Sequence, residues 1–224
     1  MDDQVTFKDL TFSKKLEHIW IYYRVPILVV LIGAVLLISL VKTLFFPAKS
    51  VIDVIMVDSN ANAHTDTTAF DAFLERCGIE PYEGAVNLNT NISFYDEAEL
   101  AQLNEMDQSQ AVLSNYDKEQ ILFTLMAAGN ADIFFGKGDV FLSYAEEGMF
   151  RDLTEVLSPE LLARYQEQLI YTEEHGVRYP CAVALKDNPW LAENGYYTEC
   201  YFGVLYLSDS PEVAAQFAEF LLTQ

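Results

Sequence analysis

The chain has 224 residues, 51% hydrophobic and 21% charged, enough for one domain with a sizeable core plus an appendage and too apolar for a disordered chain. Its formal net charge of −21 excludes the basic face that nucleic-acid binding needs. The charge is uneven. Residues 1–49 hold six of the 13 basic residues and four of the 34 acidic ones, leaving seven against 30 beyond them, a net of −23. An acidic surface of this kind reads as a solvated one or, more sharply, as one with affinity for cations or basic partners.

Residues 1–24 are too few for a domain, and FSKKLEHIWIYYR (12–24) reads as an amphipathic helix at an inner membrane surface. From Val25 to Val41 the chain carries no charge, and its one polar side chain is Ser39. Extended to Phe46, the run makes a helix of about 33 Å, which matches a hydrocarbon core of about 30 Å. Pro26 falls in the first turn, where a missing N–H costs little. Trp20, Tyr22, Tyr23, Phe45 and Phe46 flank the run as interfacial aromatics do. FFPAKS offers no small-x-small cleavage site, so residues 25–46 are expected to be an uncleaved transmembrane helix in contact with lipid. Lys8, Lys14, Lys15 and Arg24 precede it, against Lys42 and Lys49 at its far end. That asymmetry puts a 1–24 tail in the cytoplasm and the acidic domain outside. Residues 47–50 read as a tether, and 51–224 as one extracytoplasmic domain.

In the domain, VIDVIMVD (51–58) reads as a buried strand. Thr67 is placed to cap a helix with Phe70, Phe73, Leu74 and Cys77 on one face, stopped by Gly78. AVNLNTNISFY (85–95) is strand-like. Residues 97–105 read as helix, and 117–128 as a better one, with Ile121, Leu122, Leu125 and Met126 on a face and Gly129 ending it. Ile133–Phe135 is the next strand. Gly138 or Asp139 opens a short helix that ends by Gly148. Ser158-Pro159 starts another, with Leu162, Tyr165 and Leu169 inward. Strands follow near 178–185 and 200–207, and Ser210-Pro211 opens a last helix with Val213, Phe217, Phe220 and Leu221 on its core face. Strands alternating with helices predict an α/β sandwich. Asp132 is expected at the start of its strand, because an unpaired buried carboxylate is costly.

The stretch LMAAGNADIFFGKGDVFLSYAEEGMFRDLTEVL (125–157) resembles the extracellular solute-binding proteins of ABC importers at Ala127, Ala128, Gly129, Asp132, Ile133, Gly148, Asp152, Leu153 and Thr154. HGVRYPCAVAL (175–185) is similar to a family hairpin at Gly176, Tyr179 and Pro180. LYLSDSPEVAAQFAEFLL (205–222) is similar to a family helix at Ser208, Glu212, Ala215, Phe217 and Phe220. The resemblance implies a periplasmic-binding-protein fold and a transport-linked binding function. That family clamps its ligand between two lobes. Here the second lobe would fall between Lys186 and Leu205, which are only 20 residues. One membrane-anchored lobe is therefore expected, and the helix stands where a lipoprotein cysteine would.

DSNANAHTD (58–66) spaces Asp58, Asn60, Asn62 and Asp66 like an EF-hand loop. Ala63 and Ala69 stand where calcium needs a glycine and a bidentate acid, so a polar turn is the better reading. The scattered His18, His64 and His175 suggest no zinc site. Gly136-Lys137-Gly138-Asp139 is too short for a phosphate loop and reads as a turn. Glu146/Glu147 and Glu173/Glu174 are adjacent acids whose side chains diverge on a helix. No catalytic residue, metal or cofactor is expected. If the strands holding Cys181 and Cys200 pair, those side chains come within reach of a disulfide, which an extracytoplasmic setting permits.

The expected ligand-binding residues are Trp190, Tyr196 and Tyr197, between the turn signals at Asp187-Asn188-Pro189 and Asn194-Gly195. Aromatics with a polar handle serve sugar sites and protein hot spots. They are expected as an exposed or half-exposed patch near the strand ends; the alternative is a lid over the core edge left by the missing lobe. Two functions follow. One is a non-catalytic extracytoplasmic module that binds a small solute or a protein. The other is a structural or sensory subunit of a membrane complex with no small ligand.

Overall fold

The computed structural model of the protein describes residues 20, 24–38, 50–60, 66–82 and 84–224. The chain divides into two units between Ala48 and Lys49. In the first, residues 24–38 are helical, and their large apolar side chains, such as Val30 and Leu36, are exposed. Among the described residues no helix is long and apolar enough to cross a membrane. The expected span continues into residues 39–46, which lie outside the described residues, as do tether residues 47–49 and the expected amphipathic stretch except Trp20 and Arg24.

The second unit is mixed α/β. It begins with β1 (Ile52–Met56), a 3-10 turn (Thr68–Phe70), α1 (Asp71–Arg76) and β2 (Val86–Asn89). Next come α2 (Glu97–Ala101), α3 (Glu105–Ala127), β3 (Ile133–Gly136), α4 (Gly138–Glu146) and α5 (Pro159–Arg164). It ends with β4 (Leu169–Glu174), β5 (Val177–Lys186), α6 (Pro189–Glu193), β6 (Glu199–Val204) and α7 (Pro211–Leu222). The six strands form one sheet in the order β2-β1-β3-β6-β5-β4. β1 runs parallel to β2 and β3, and the other pairs are antiparallel.

β1 and β3 are covered on both faces, which is why they read as unbroken apolar runs rather than alternating ones. Ile52, Val54, Met56, Ile133 and Phe135 face one core with Phe70, Phe73, Phe217 and Leu221. Ile55, Val57 and Phe134 face the other with Leu122, Met126, Phe141 and Tyr144. Helices α1, α6 and α7 thus cover one face, and α3 and α4 the other.

Three expectations need correction. The strand expected over 85–95 stops at Asn89. Asn89 Oδ1 accepts the Asn91 N–H and Asp58 Oδ1 accepts the Phe94 N–H, and both bonds turn the chain off the sheet. The helix after Ser158 stops at Arg164, and Leu169 begins β4 instead. The helix expected from Asp117 starts at Glu105, where Asn104 Oδ1 accepts the Met106 and Asp107 N–H groups as an N-cap.

Candidate functional site

Trp190, Tyr196 and Tyr197 do not form the expected exposed patch. They are 7%, 4% and 1% exposed. Trp190 packs edge-on against Phe70 and Phe217, and its Nε1–H donates to the Ala69 carbonyl at 3.0 Å. The Tyr196 hydroxyl reaches the Asp66 carbonyl at 3.5 Å, and the Tyr197 hydroxyl donates to the Val57 carbonyl at 2.7 Å. Burial pushes the Tyr196 phenol up to about 12, with Asp66 adding to it, and drives Tyr197 well above its ordinary value. Both hydroxyls therefore stay neutral and serve the fold as donors. This packing is that of the lid: α6 and the segment after it seal the core edge.

The sheet offers a different site. The first helix after β1, α1, packs on one face of the sheet, and the first after β3, α4, on the other. In open α/β sheets such a divergence opens a crevice at the carboxyl ends of the strands. Lys137 stands there, directly after β3. Its Nζ donates to Asn60 Oδ1 at 3.2 Å and lies 5.4 Å from the centre of the Tyr197 ring. Asp58, in the left-handed region at φ 55, accepts from Ser93 Oγ at 3.1 Å and the Phe94 N–H at 2.7 Å.

Two clefts share Lys137 and Gly138. One, about 580 Å³, carries Asp58, Asp96, Glu97, Glu99 and Asp139 on its wall. The other, about 680 Å³, is lined by Glu167, Lys186, Glu199, Cys200 and Tyr201 among others. The first suits a cationic group, and the ammonium between them suits an anionic one. No family model, curated protein or solved structure matches the chain. The likeness to solute-binding proteins rests on its motif residues.

Several of those residues are scaffolding. Asp132 lies directly before β3, as expected, but it is 1% exposed. Its carboxylate accepts from the Asp53 N–H at 2.8 Å, Ser208 Oγ at 2.5 Å and the Ser210 N–H at 3.0 Å. Ser210 is the N-cap of α7 and makes no side-chain cap itself, so Asp132 provides the negative charge that a helix start favours. Gly129 has φ 70, and a Cβ there would meet the Leu207 carbonyl at 3.0 Å. Asp152 Oδ1 accepts from the Thr154 N–H and hydroxyl.

Of the EF-hand-like loop, Asn62 lies outside the described residues. Asp58 and Asn60 bind the protein itself, and Asp66 accepts the Thr68 N–H. Among the described residues no group of three or more His, Cys, Asp or Glu is placed to hold a metal. Cys181 and Cys200 are free and belong to opposite cores. Cys200 sits opposite Leu185, and a bulge where β5 meets β4 turns Cys181 to the other face. Burial pushes their thiols up to about 12 for Cys200 and about 11 for Cys181.

Lys137 and Asn60 were not singled out as site residues by the sequence. The signal for Lys137 was its place directly after a buried strand, in the stretch that reads as a plain turn. Nothing local in the sequence marks Asn60 as its partner.

Proposed function

We propose that this chain is a non-catalytic binding module held in a membrane by residues 25–46, with residues 1–24 cytoplasmic and 51–224 outside. In this reading the domain is akin to one lobe of an ABC-importer solute-binding protein, and it takes a small solute or a protein segment at the clefts beside Lys137. The carrying observation is the position of Lys137 at the carboxyl ends of β1 and β3, between clefts of small-molecule size. A single lobe contacts its ligand from one side, so binding is expected to be weaker than in a two-lobed clamp.

The test is thermal unfolding of the full chain in nanodiscs against a panel of sugars, peptides and cations. A ligand at a hundredfold excess over Kd contributes about 2.7 kcal/mol, a shift of several degrees. Lys137→Met is expected to abolish a shift given by a sugar or an acidic peptide and leave the unliganded transition in place. A panel without any shift, or one that persists in Lys137→Met, counts against the site. For the anchor, protease added to intact cells is expected to remove the domain beyond Lys49 and spare the N-terminus. The second reading, a structural or sensory subunit of a membrane complex, is favoured by the apolar side chains that α3 exposes.

A further inference from the structure

Among the described residues no lysine or arginine pairs with a carboxylate; the one ion pair joins His175 to Glu174. Rings hold the basic side chains instead. Of the seven in the domain, six lie 4.7–6.0 Å from the centre of an aromatic ring. Lys186 is the exception. Among the described residues no ring, carboxylate or hydrogen-bond acceptor holds its ammonium.

That ammonium stands in the larger cleft, of about 680 Å³. Across β5 and β6, Lys186 is opposite Glu199 and Ala184 is opposite Tyr201. Cross-strand partners share a face of the sheet. Tyr201 stacks on Phe141 of α4 at 5.3 Å, so all four lie on the α4 side. Ala184 has only a methyl group, which leaves the floor beside the Tyr201 ring open. Lys137, directly before α4, and Gln168, directly before β4, line the same space. The side chains of Gln168, Thr198 and Tyr201 also line it, with no hydrogen bond to the described residues.

The charges select the ligand. One free ammonium matches one carboxylate, and a second negative charge would face Glu167 and Glu199 on the same lining. Those two carboxylates accept from hydroxyl groups, and the amide of Gln168 and the hydroxyls of Thr198 and Tyr201 both accept and donate. The Tyr201 ring adds an apolar surface for a carbon skeleton. On the reading that a ligand enters beside Lys137, we propose that the cleft over β5 and β6 binds a small polyhydroxy monocarboxylate of the sugar-acid class, with Lys186 holding the carboxylate.

The probes are glucuronate, glucose, glucose 1-phosphate and alanine at constant ionic strength. Apparent Kd values come from the rise of the thermal midpoint of the full chain in zwitterionic nanodiscs, each variant measured from its own unliganded midpoint. Glucuronate is expected to bind about tenfold or more tighter than each of the others. Lys186→Met is expected to weaken it about tenfold or more, and Lys186→Arg by less than about threefold. Arg76→Met removes the same charge from the opposite face of the sheet, where Arg76 lies over Phe220, and is expected to leave binding unchanged. Equal binding of glucose, the phosphate ester or alanine overturns the inference. So does glucuronate binding that survives Lys186→Met. If glucuronate is inert while another ligand gives a shift that Lys137→Met abolishes, the sugar acid is wrong and the cleft stands. If no ligand gives a shift, both are wrong.

Discussion

At Asp132 a carboxylate is held almost without solvent because three donors converge on it. They come from β1, from the loop after β6 and from the start of α7. Replacing it by alanine strands the Asp53 N–H and the Ser208 hydroxyl and leaves the Ser210 N–H only Ser208 Oγ at 3.2 Å, and each orphaned buried donor costs about 1–3 kcal/mol. Asp132→Ala is expected to lower unfolding stability by about 3 kcal/mol or more in a urea titration, and Asp132→Asn by less. Gly203 is tight for a different reason. A Cβ there would come 2.6 Å from Phe150 Cδ1, and that ring is stacked on Phe141 at 4.7 Å. Gly203→Ala is expected to cost about 1–3 kcal/mol by overpacking, measured the same way.

The buried thiols and phenols set the alkaline limit. Burial raises Cys181 and Cys200 from 9.0 to about 11 and about 12, and Tyr144 and Tyr196 from 10.0 to about 12. The folded state therefore holds protons that the unfolded chain releases first. The stability they contribute is full below the unfolded values and is lost as pH rises through the folded ones. The urea midpoint is expected to be flat up to about pH 9 and to fall from there toward 12. Cys200→Ala should make that fall shallower.

Among the elements, those with the longest apolar runs or faces are the easiest to read. β1, β3 and α7 lie close to where their apolar runs predict them. The first half of α3 was hidden because it turns only Ala111 inward, so hydrophobic periodicity had nothing to report there, although Glu, Gln, Met and Leu favour helix throughout. Its cap was visible in principle: Asn104 precedes Glu105 and Asp107. Asn104→Ala is expected to cost about 1 kcal/mol, read as a lower thermal midpoint.

β4 was missed because Leu162, Tyr165 and Leu169 mimic a helical face. The hairpin expected at Gly176 carries the clue in His175-Gly176. Both have positive φ, at 52 and 81, as a two-residue hairpin turn requires, and a hairpin ahead of β5 demands a strand before it. The aromatic segment 190–197 is expected as an exposed patch, with a lid over the core edge as the alternative; it is buried because Phe70 and Phe217 pack against Trp190. The hydrogen bonds from Trp190 to the Ala69 carbonyl and from Tyr197 to the Val57 carbonyl bridge more than a hundred residues of chain, beyond the reach of local pattern.

For the molecule as a whole, the sheet order has the largest consequence. The last strand to appear, β6, lies between β3 and β5. It joins a parallel half, β2-β1-β3, to the β5-β4 hairpin, and α7 then closes over it. A chain still being synthesised thus holds two incomplete half-sheets, each with an apolar edge, until β6 emerges. Closure of the domain therefore waits for β6, and a chain ended at Thr198 is expected to be degraded or captured by chaperones. Adding a separate peptide of residues 199–224 should restore a cooperative unfolding transition to that shortened chain; if the shortened chain unfolds cooperatively without it, the two halves assemble by another route.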